Sequence, residues 1–411
     1  MQNLIQPNAE RMVSRIESLA KYSRSKRGVT RLSFSEESEQ VNQLVSEWMQ
    51  EAGMSVRRDA VNNLIGRYEG TDPTAPVLLI GSHLDTVIEA GKYDGILGVI
   101  TGLEVVQTLF ENNLRLPFPI EVIGFCDEEG TRFHTTLLGS RAIAGTLTSE
   151  DLSACDSDGL SLSEAMKRIG LEPTHFKQAA KDPKSILGYL EVHIEQGPVL
   201  EKLNQACGVV AGIAGATRYE FCVEGEAGHA GTVPHILRKD ALTGAAEMIL
   251  AVEEIAQQME SLVATVGKLE VYPGASNVIP GQVKGTLDIR SINNRVKHQA
   301  FHQILSTWEE ICKGRDLTLK LKKVMDSPAV SCSSKWIERI GNALENHAMK
   351  RVVIPSGAGH DAMAIAEIAP IGMIFVRCRK GISHHPDEYC SPEDMQMGAT
   401  ILLDVVMQIN S

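Results

Sequence analysis

Three apolar, β-branched runs in this chain each end on residues able to bind a metal or move a proton. Residues 75–80 (Ala-Pro-Val-Leu-Leu-Ile) lead into His83, residues 120–126 end at Asp127-Glu128-Glu129, and residues 186–192 end at His193. Runs of this kind read as strands. Helical spacing lies between them, as in Ile96, Val99, Ile100, Leu103, Val106 and Leu109 after Gly95. Strands alternating with helices predict an α/β fold with a mostly parallel sheet covered by helices. In such sheets functional groups gather beyond the carboxyl ends of the strands, so these three strand ends are expected to converge.

The alternation changes character after about Gly208. Strand runs at 208–213, 218–223, 263–272, 283–291 and 317–321 accompany two long helical patterns at 238–259 and 296–315. Two helices on a small antiparallel sheet form a separate α+β unit. From Ser334 the α/β pattern resumes, with strands at 352–355 and 371–377 and a closing helix at 392–408. The expected organisation is a catalytic domain of residues 1–212 and 331–411, interrupted by an inserted domain at 213–330. A chain of 411 residues exceeds the roughly 250–300 residues at which one core stops growing, so two cores are expected.

Composition narrows the function classes. A formal net charge of −12 argues against nucleic acid and anionic membranes, which favour basic patches. No apolar run reaches the roughly 18 residues of a membrane span. Near the N-terminus, Met12, Val13, Ile16 and Leu19 alternate with Glu10, Arg11, Arg15 and Glu17, an amphipathic helix and not a secretion signal. Eight cysteines without a C-x-x-C pair read as free thiols in a reducing compartment, so the cytoplasm is the expected location.

Two metal ions with three or four ligands each need about five side chains when one carboxylate bridges. His83, Asp94, Glu129, His193 and one of His384 or His385 supply that set, with Asp94 as the bridge. The pair Glu128-Glu129 can divide its roles, one carboxylate on metal and the other a general base. Asp85, two residues from His83, could hold that ligand's far ring nitrogen. In the inserted unit, His229 lies in a Gly-rich loop, Asn277 lies between two strands, and Arg290 projects from the face opposite Val283, Leu287 and Ile289. Arg290 could clamp a substrate carboxylate; an ordinary ion pair with Asp288 is the competing reading.

The motifs Gly81-Ser82-His83-Leu84-Asp85-Thr86, Tyr93-Asp94-Gly95, Glu128-Glu129-Gly130-Thr131-Arg132-Phe133, His193-Ile194-Glu195-Gln196-Gly197, Gly228-His229-Ala230-Gly231, Ser276-Asn277-Val278-Ile279-Pro280, Ser356-Gly357-Ala358-Gly359-His360-Asp361 and Gly381-Ile382-Ser383-His384 occur in this order. Together they resemble the amidase, hydantoinase and carbamoylase family of dinuclear metal hydrolases, which includes N-carbamoyl-L-amino-acid hydrolases, β-ureidopropionases and allantoate amidohydrolases. The resemblance implies a metallohydrolase catalytic domain with an inserted lid and dimerisation domain. It implies two divalent ions per subunit, zinc or manganese or cobalt, one held by His83, Asp94 and His193 and the other by Asp94, Glu129 and His384. Glu128 would be the general base, and Gln196, His229, Asn277, Arg290 and His360 would surround the substrate. Arg290 would take the carboxylate. His229 would stabilise the oxyanion from the partner's lid, which implies a homodimer.

The expected activity is hydrolysis of the carbamoyl C–N bond of N-carbamoyl-L-amino acids, with allantoate, a dipeptide or an N-acyl amino acid as the competing substrate. Allantoate enzymes carry a further arginine in a Gln-Arg-Arg-Tyr context, where this chain has Ala216-Thr217-Arg218-Tyr219. Thr217 at that place favours an N-carbamoyl amino acid. A non-catalytic binding protein would be expected to have lost a ligand or the base, and neither is lost.

Overall fold

The computed structural model describes residues 5–410. The chain divides into two compact units: residues 1–211, 332–354 and 358–411 form the first, and 212–331 with 355–357 the second.

The first unit is built on a mixed, mostly parallel central sheet. Its strands run in the order Ser55–Arg58, Leu64–Tyr68, Ile120–Phe125, Val77–His83, Ile186–Ile194, Ile371–Val376 and Cys207–Ile213. The central run from Ile120–Phe125 to Ile371–Val376 is parallel, and the outer pairings are antiparallel. Strands Val77–His83 and Ile120–Phe125 are buried along their whole length. That is why they read as near-continuous apolar runs, interrupted in the second only by Glu121, and not as alternating ones.

Register decides where the chemistry goes. Ile80 pairs with Leu190, each three residues before its histidine, and His83 itself pairs with Phe125, three residues before Glu128. The three strand ends predicted to converge therefore stand level. Helix Ile96–Glu111 packs on Val77–His83 and against the closing helix Pro392–Met407. Leu103, Val106, Val192, Ile374 and Leu402 form part of this unit's main core. The closing helix starts with Ser391 accepting the Asp394 N–H and with Pro392 in its first turn, a favourable N-terminus.

The second unit is an antiparallel sheet in the order Leu269–Tyr272, Gln282–Ser291, Gly215–Glu224, Thr318–Asp326, with Leu262–Thr265 also paired to Gln282–Ser291. Helices Ala241–Gln258 and Asn294–Gly314 cover one face, with Phe221, Met248, Leu287, Ile304 and Trp308 in a core of its own.

Two elements differ from the sequence reading. Residues 208–213, expected beside 218–223, belong to strand Cys207–Ile213, which pairs through Cys207, Gly208 and Val209 with Ile371–Val376 of the first unit's sheet. The run 263–272 is broken into Leu262–Thr265 and Leu269–Tyr272, with Gly267 at the break, where a residue without a side chain to pack weakens a strand. All eight cysteines are free. Among the described residues no helix is long and apolar enough to cross a membrane.

Candidate metal centre

The site assembles at the level strand ends of the first unit. His83 is the last residue of its strand, and its Nδ1 donates to the backbone carbonyl of Asp85 at 3.0 Å. His193 repeats the arrangement, with Nδ1 2.9 Å from the Ile194 carbonyl. A carbonyl on Nδ1 fixes the tautomer and leaves Nε2 free to coordinate. Both Nε2 atoms face Asp94 Oδ1, His193 at 3.0 Å and His83 at 3.8 Å. Asp94 reaches this point through Gly95, whose φ is +70°. A Cβ at residue 95 would lie 2.4 Å from the His83 ring, so the turn requires glycine twice over.

The second oxygen of Asp94 faces a different group. Oδ2 lies 3.1 Å from His384 Nε2, and the same nitrogen is 3.4 Å from Glu129 Oε1. Gln196 Nε2 and Ser383 Oγ also reach Oδ2, at 3.1 and 3.0 Å. Ligand atoms of His83, Asp94 and His193 lie within 4.8 Å of one another, as do those of Asp94, Glu129 and His384. His385 joins neither group; its Nδ1 is 3.7 Å from Asp387. Asp94 Oδ1 is buried without a hydrogen-bond partner, although two imidazole nitrogens point at it. An orphaned anionic oxygen among imidazoles whose other nitrogens are already bonded fits a divalent cation better than it fits a hydrogen-bond network.

Electrostatics agree with that fit. Burial pushes the Asp94 pKa up, but the imidazoles of His193, His384 and His83 around it outweigh that and hold the carboxyl well below its ordinary range. Glu128, buried and 3.9 Å from His83 Nε2, is pushed the other way. Burial raises its pKa well above the usual carboxylate range, with His83 opposing and Glu129, Asp361 and Asp85 adding to the rise. A buried carboxyl raised in this way beside the cluster can carry a proton. His360 stacks edge-on against His193 at 4.5 Å, and burial and His193 hold its pKa well below 6.5, so it is neutral at pH 7. Gln196 and His384 both sit at φ +54°, left-handed backbone in non-glycine residues of the kind that collects at functional sites.

Asp85 does something other than orient the His83 ring with its carboxylate. That carboxylate is 3.8 Å from Nδ1 and accepts the backbone N–H groups of Glu128 and Glu129 at 3.1 and 3.2 Å. The ring is held by the Asp85 carbonyl instead.

His229, Asn277 and Arg290 lie in the second unit. His229 is exposed, pairs with Val278, and receives the Gly231 N–H on Nδ1 at 3.1 Å. Asn277 is tied to the same loop through its carbonyl, which accepts the Ala230 N–H at 3.0 Å. Arg290 makes the ion pair weighed as its competing reading, with Nε 2.8 Å from Asp288 Oδ1. Thr217 pairs with Ile289 on the helix-covered face, and its hydroxyl donates to Asp326 at 2.9 Å. It is turned away from Arg290, so the substrate preference drawn from Thr217 loses its physical basis.

A model of peptidase family M20/M25/M40 matches residues 79–408. The chain belongs to this family. An N-carbamoyl-L-amino acid amidohydrolase from Geobacillus stearothermophilus is 45% identical to this M20 chain over 382 residues, covering 93% of each. An allantoate deiminase from Arabidopsis thaliana is 39% identical, covering 95% of this chain and 81% of that one. Among solved structures, an amidase of the hydantoinase/carbamoylase family from Burkholderia multivorans superposes with a TM-score of 0.93 at 33% identity, over 98% of each chain.

This M20 centre also uses residues that the sequence reading passed over. Glu388 is buried and accepts the backbone N–H groups of Tyr93 and Asp94 at 2.8 and 3.1 Å, with Ser383 Oγ at 3.0 Å. It ties the Asp94 turn to the His384 loop. Its place four residues after His384 was the available signal. Arg31 is 1% exposed and donates to the carbonyls of Leu84 and Leu19 at 2.7 and 2.8 Å, bracing the turn after His83. Nothing in the charged segment 21–37 distinguished it.

Proposed function

We propose that this protein is a metal-dependent amidohydrolase that cleaves the carbamoyl C–N bond of N-carbamoyl-L-amino acids, giving the free amino acid, ammonia and carbon dioxide. The observation that carries the reading is Asp94 presenting one oxygen to His83 and His193 and the other to His384, with Glu128 alongside. Two relatives named as N-carbamoyl-L-amino acid amidohydrolases, 45% and 42% identical, support the substrate class.

His83, Asp94 and His193 hold one divalent ion, and Asp94, Glu129 and His384 hold a second, with zinc, manganese or cobalt as the metal. When bound, the ions supply acidification of the attacking water and polarisation of the ureido carbonyl. Glu128 takes the proton of that water and returns it to the leaving nitrogen. Gln196, Asn277 and His360 orient the ureido group, and Arg290 receives the carboxylate. The protein acts as a homodimer in which the partner subunit's His229 stabilises the developing oxyanion; the exposed ring of His229 supports this reading. Eight free cysteines support a cytoplasmic, reducing location.

Allantoate is the second reading. Relatives named as allantoate deiminases are 39% identical, and Arg218 stands on the same sheet face as Arg290, a second guanidinium available to a second ureido arm. The test is a screen of ammonia release from N-carbamoyl-L-amino acids and allantoate and of free amino-acid release from dipeptides, with zinc, manganese and cobalt added separately. Faster turnover of N-carbamoyl-L-amino acids supports the first reading, and faster turnover of allantoate the second. Cleavage of dipeptides alone overturns both.

A further inference from the structure

Strand Gln282–Ser291 places Asp288 and Arg290 two residues apart on the sheet face opposite the helices, and its register sets Arg218 beside Asp288. Arg290 donates from Nε to Asp288 Oδ1 at 2.8 Å and from Nη2 to Oδ2 at 3.2 Å, a two-point contact along one edge of the guanidinium. Its Nη1 donates to the Gly357 carbonyl at 2.7 Å. Arg218 Nε donates to Asp288 Oδ2 at 2.6 Å.

A guanidinium has five N–H donors. Three of those on Arg290 are taken, leaving one on each terminal nitrogen to meet a carboxylate. Asp288 and Arg290 line a cavity of about 480 Å³ shared with Val263, Thr265, Ile292 and Pro355. Charge counting explains Arg218. Arg290 paired to Asp288 alone would be neutral; the second arginine leaves the trio with one net positive charge, so the cavity still attracts an anion. Burial pushes the Asp288 pKa up, but the bonds from Arg290 and Arg218 outweigh it and hold it below its ordinary value, so the carboxylate is ionised at neutral pH.

We propose that Asp288 is a positioning residue that locks one edge of the Arg290 guanidinium so that its remaining N–H pair receives the substrate carboxylate in this cavity, with Arg218 supplying the net positive charge. The proposal rests on the amidohydrolase reading above and deepens it. Losing Asp288 should then weaken binding of an anionic substrate while leaving the chemical step intact. An ordinary structural ion pair makes no such distinction.

The test compares wild type, Asp288→Asn, Asp288→Glu, Arg218→Gln and Arg290→Gln on an N-carbamoyl-L-amino acid and on its carboxamide, in which the carboxylate is neutral. Asp288→Asn should raise KM for the acid about tenfold with kcat within about twofold, the pattern of lost uniform binding, and leave the carboxamide unaffected. Asp288→Glu should recover part of the loss. Arg290→Gln should abolish the preference for acid over carboxamide. Arg218→Gln, which keeps the Asp288–Arg290 contact, should raise KM several-fold for the acid alone, and it carries the test if Asp288→Asn fails to fold. Equal effects on both substrates, or none on either, overturn the proposal while wild-type turnover leaves the amidohydrolase reading standing. A wild type that hydrolyses neither substrate overturns both.

Discussion

The carboxylate of Asp85 accepts the backbone N–H of Glu128 at 3.1 Å, and its other oxygen accepts that of Glu129 at 3.2 Å. One side chain thus holds the backbone of Glu128, the proposed general base, and of Glu129, a proposed ligand, while its own carbonyl orients His83. Supporting bonds of this kind typically carry 10–100-fold in metal affinity or activity. Asp85→Ala should therefore lower kcat and metal affinity together, each by about that factor, in steady-state assays paired with metal titrations. A drop in thermal stability with unchanged affinity and kcat would remove Asp85 from the site.

Glu128 lies outside both Asp94-centred groups but can also be grouped with His83 and Glu129, so the proposed proton-transfer role and a ligand role are separable by experiment. Glu128→Gln should cost about a hundredfold to ten-thousandfold in kcat. Metal content per chain, measured by elemental analysis, should stay at the wild-type value. Loss of metal in this variant would make Glu128 a ligand instead.

Chelation should destabilise the first unit, because Asp94 Oδ1 is buried and unpartnered and a bound cation favours the folded state. Restoring the metal at about one hundred times its Kd stabilises by about 2.7 kcal/mol. Thermal unfolding with and without chelator reads this directly, and an unmoved Tm would contradict the assignment.

Asp326, in the second unit, supplies a pH-dependent contribution. It accepts bonds from Thr217, Lys297 and Lys323 at 2.9, 3.2 and 3.1 Å. Burial pushes its pKa up, but these bonds outweigh it and bring it down from 3.8 to about 2. A depressed folded pKa means stability that is present above the unfolded value and lost as pH falls through the folded one. Asp326→Asn should cost about 1 kcal/mol at pH 5, the scale of a partly exposed charged bond. The difference from wild type should close between pH 4 and pH 2 in thermal melts.

The strand ends were readable because a buried strand leaves a mostly apolar run, and polar groups straight after it stand out, as His83, Glu128 and His193 do. Arg31 left no such trace, and Glu388 only its place four residues after His384. Both bond to main-chain groups, and backbone donors and acceptors are the same at every residue. Thr217 misled for a related reason. Its sequence neighbour Arg218 faces the Arg290 side, whereas strand alternation turns Thr217 to the helices. The motif string gives adjacency but not face. Residues 355–357 group with the second unit because Ser356 accepts the Ala214 N–H at 2.8 Å, a contact between segments distant in sequence.

The central claim is a metal-dependent amidohydrolase centre built on Asp94. Its most direct test is ammonia release from N-carbamoyl-L-amino acids by metal-loaded and chelator-treated protein, with metal counted in each sample. The account predicts about two ions per chain in the loaded form, turnover only in that form, and recovery when zinc, manganese or cobalt is returned. Undiminished turnover after complete chelation, or no release of ammonia by fully loaded protein, would contradict it.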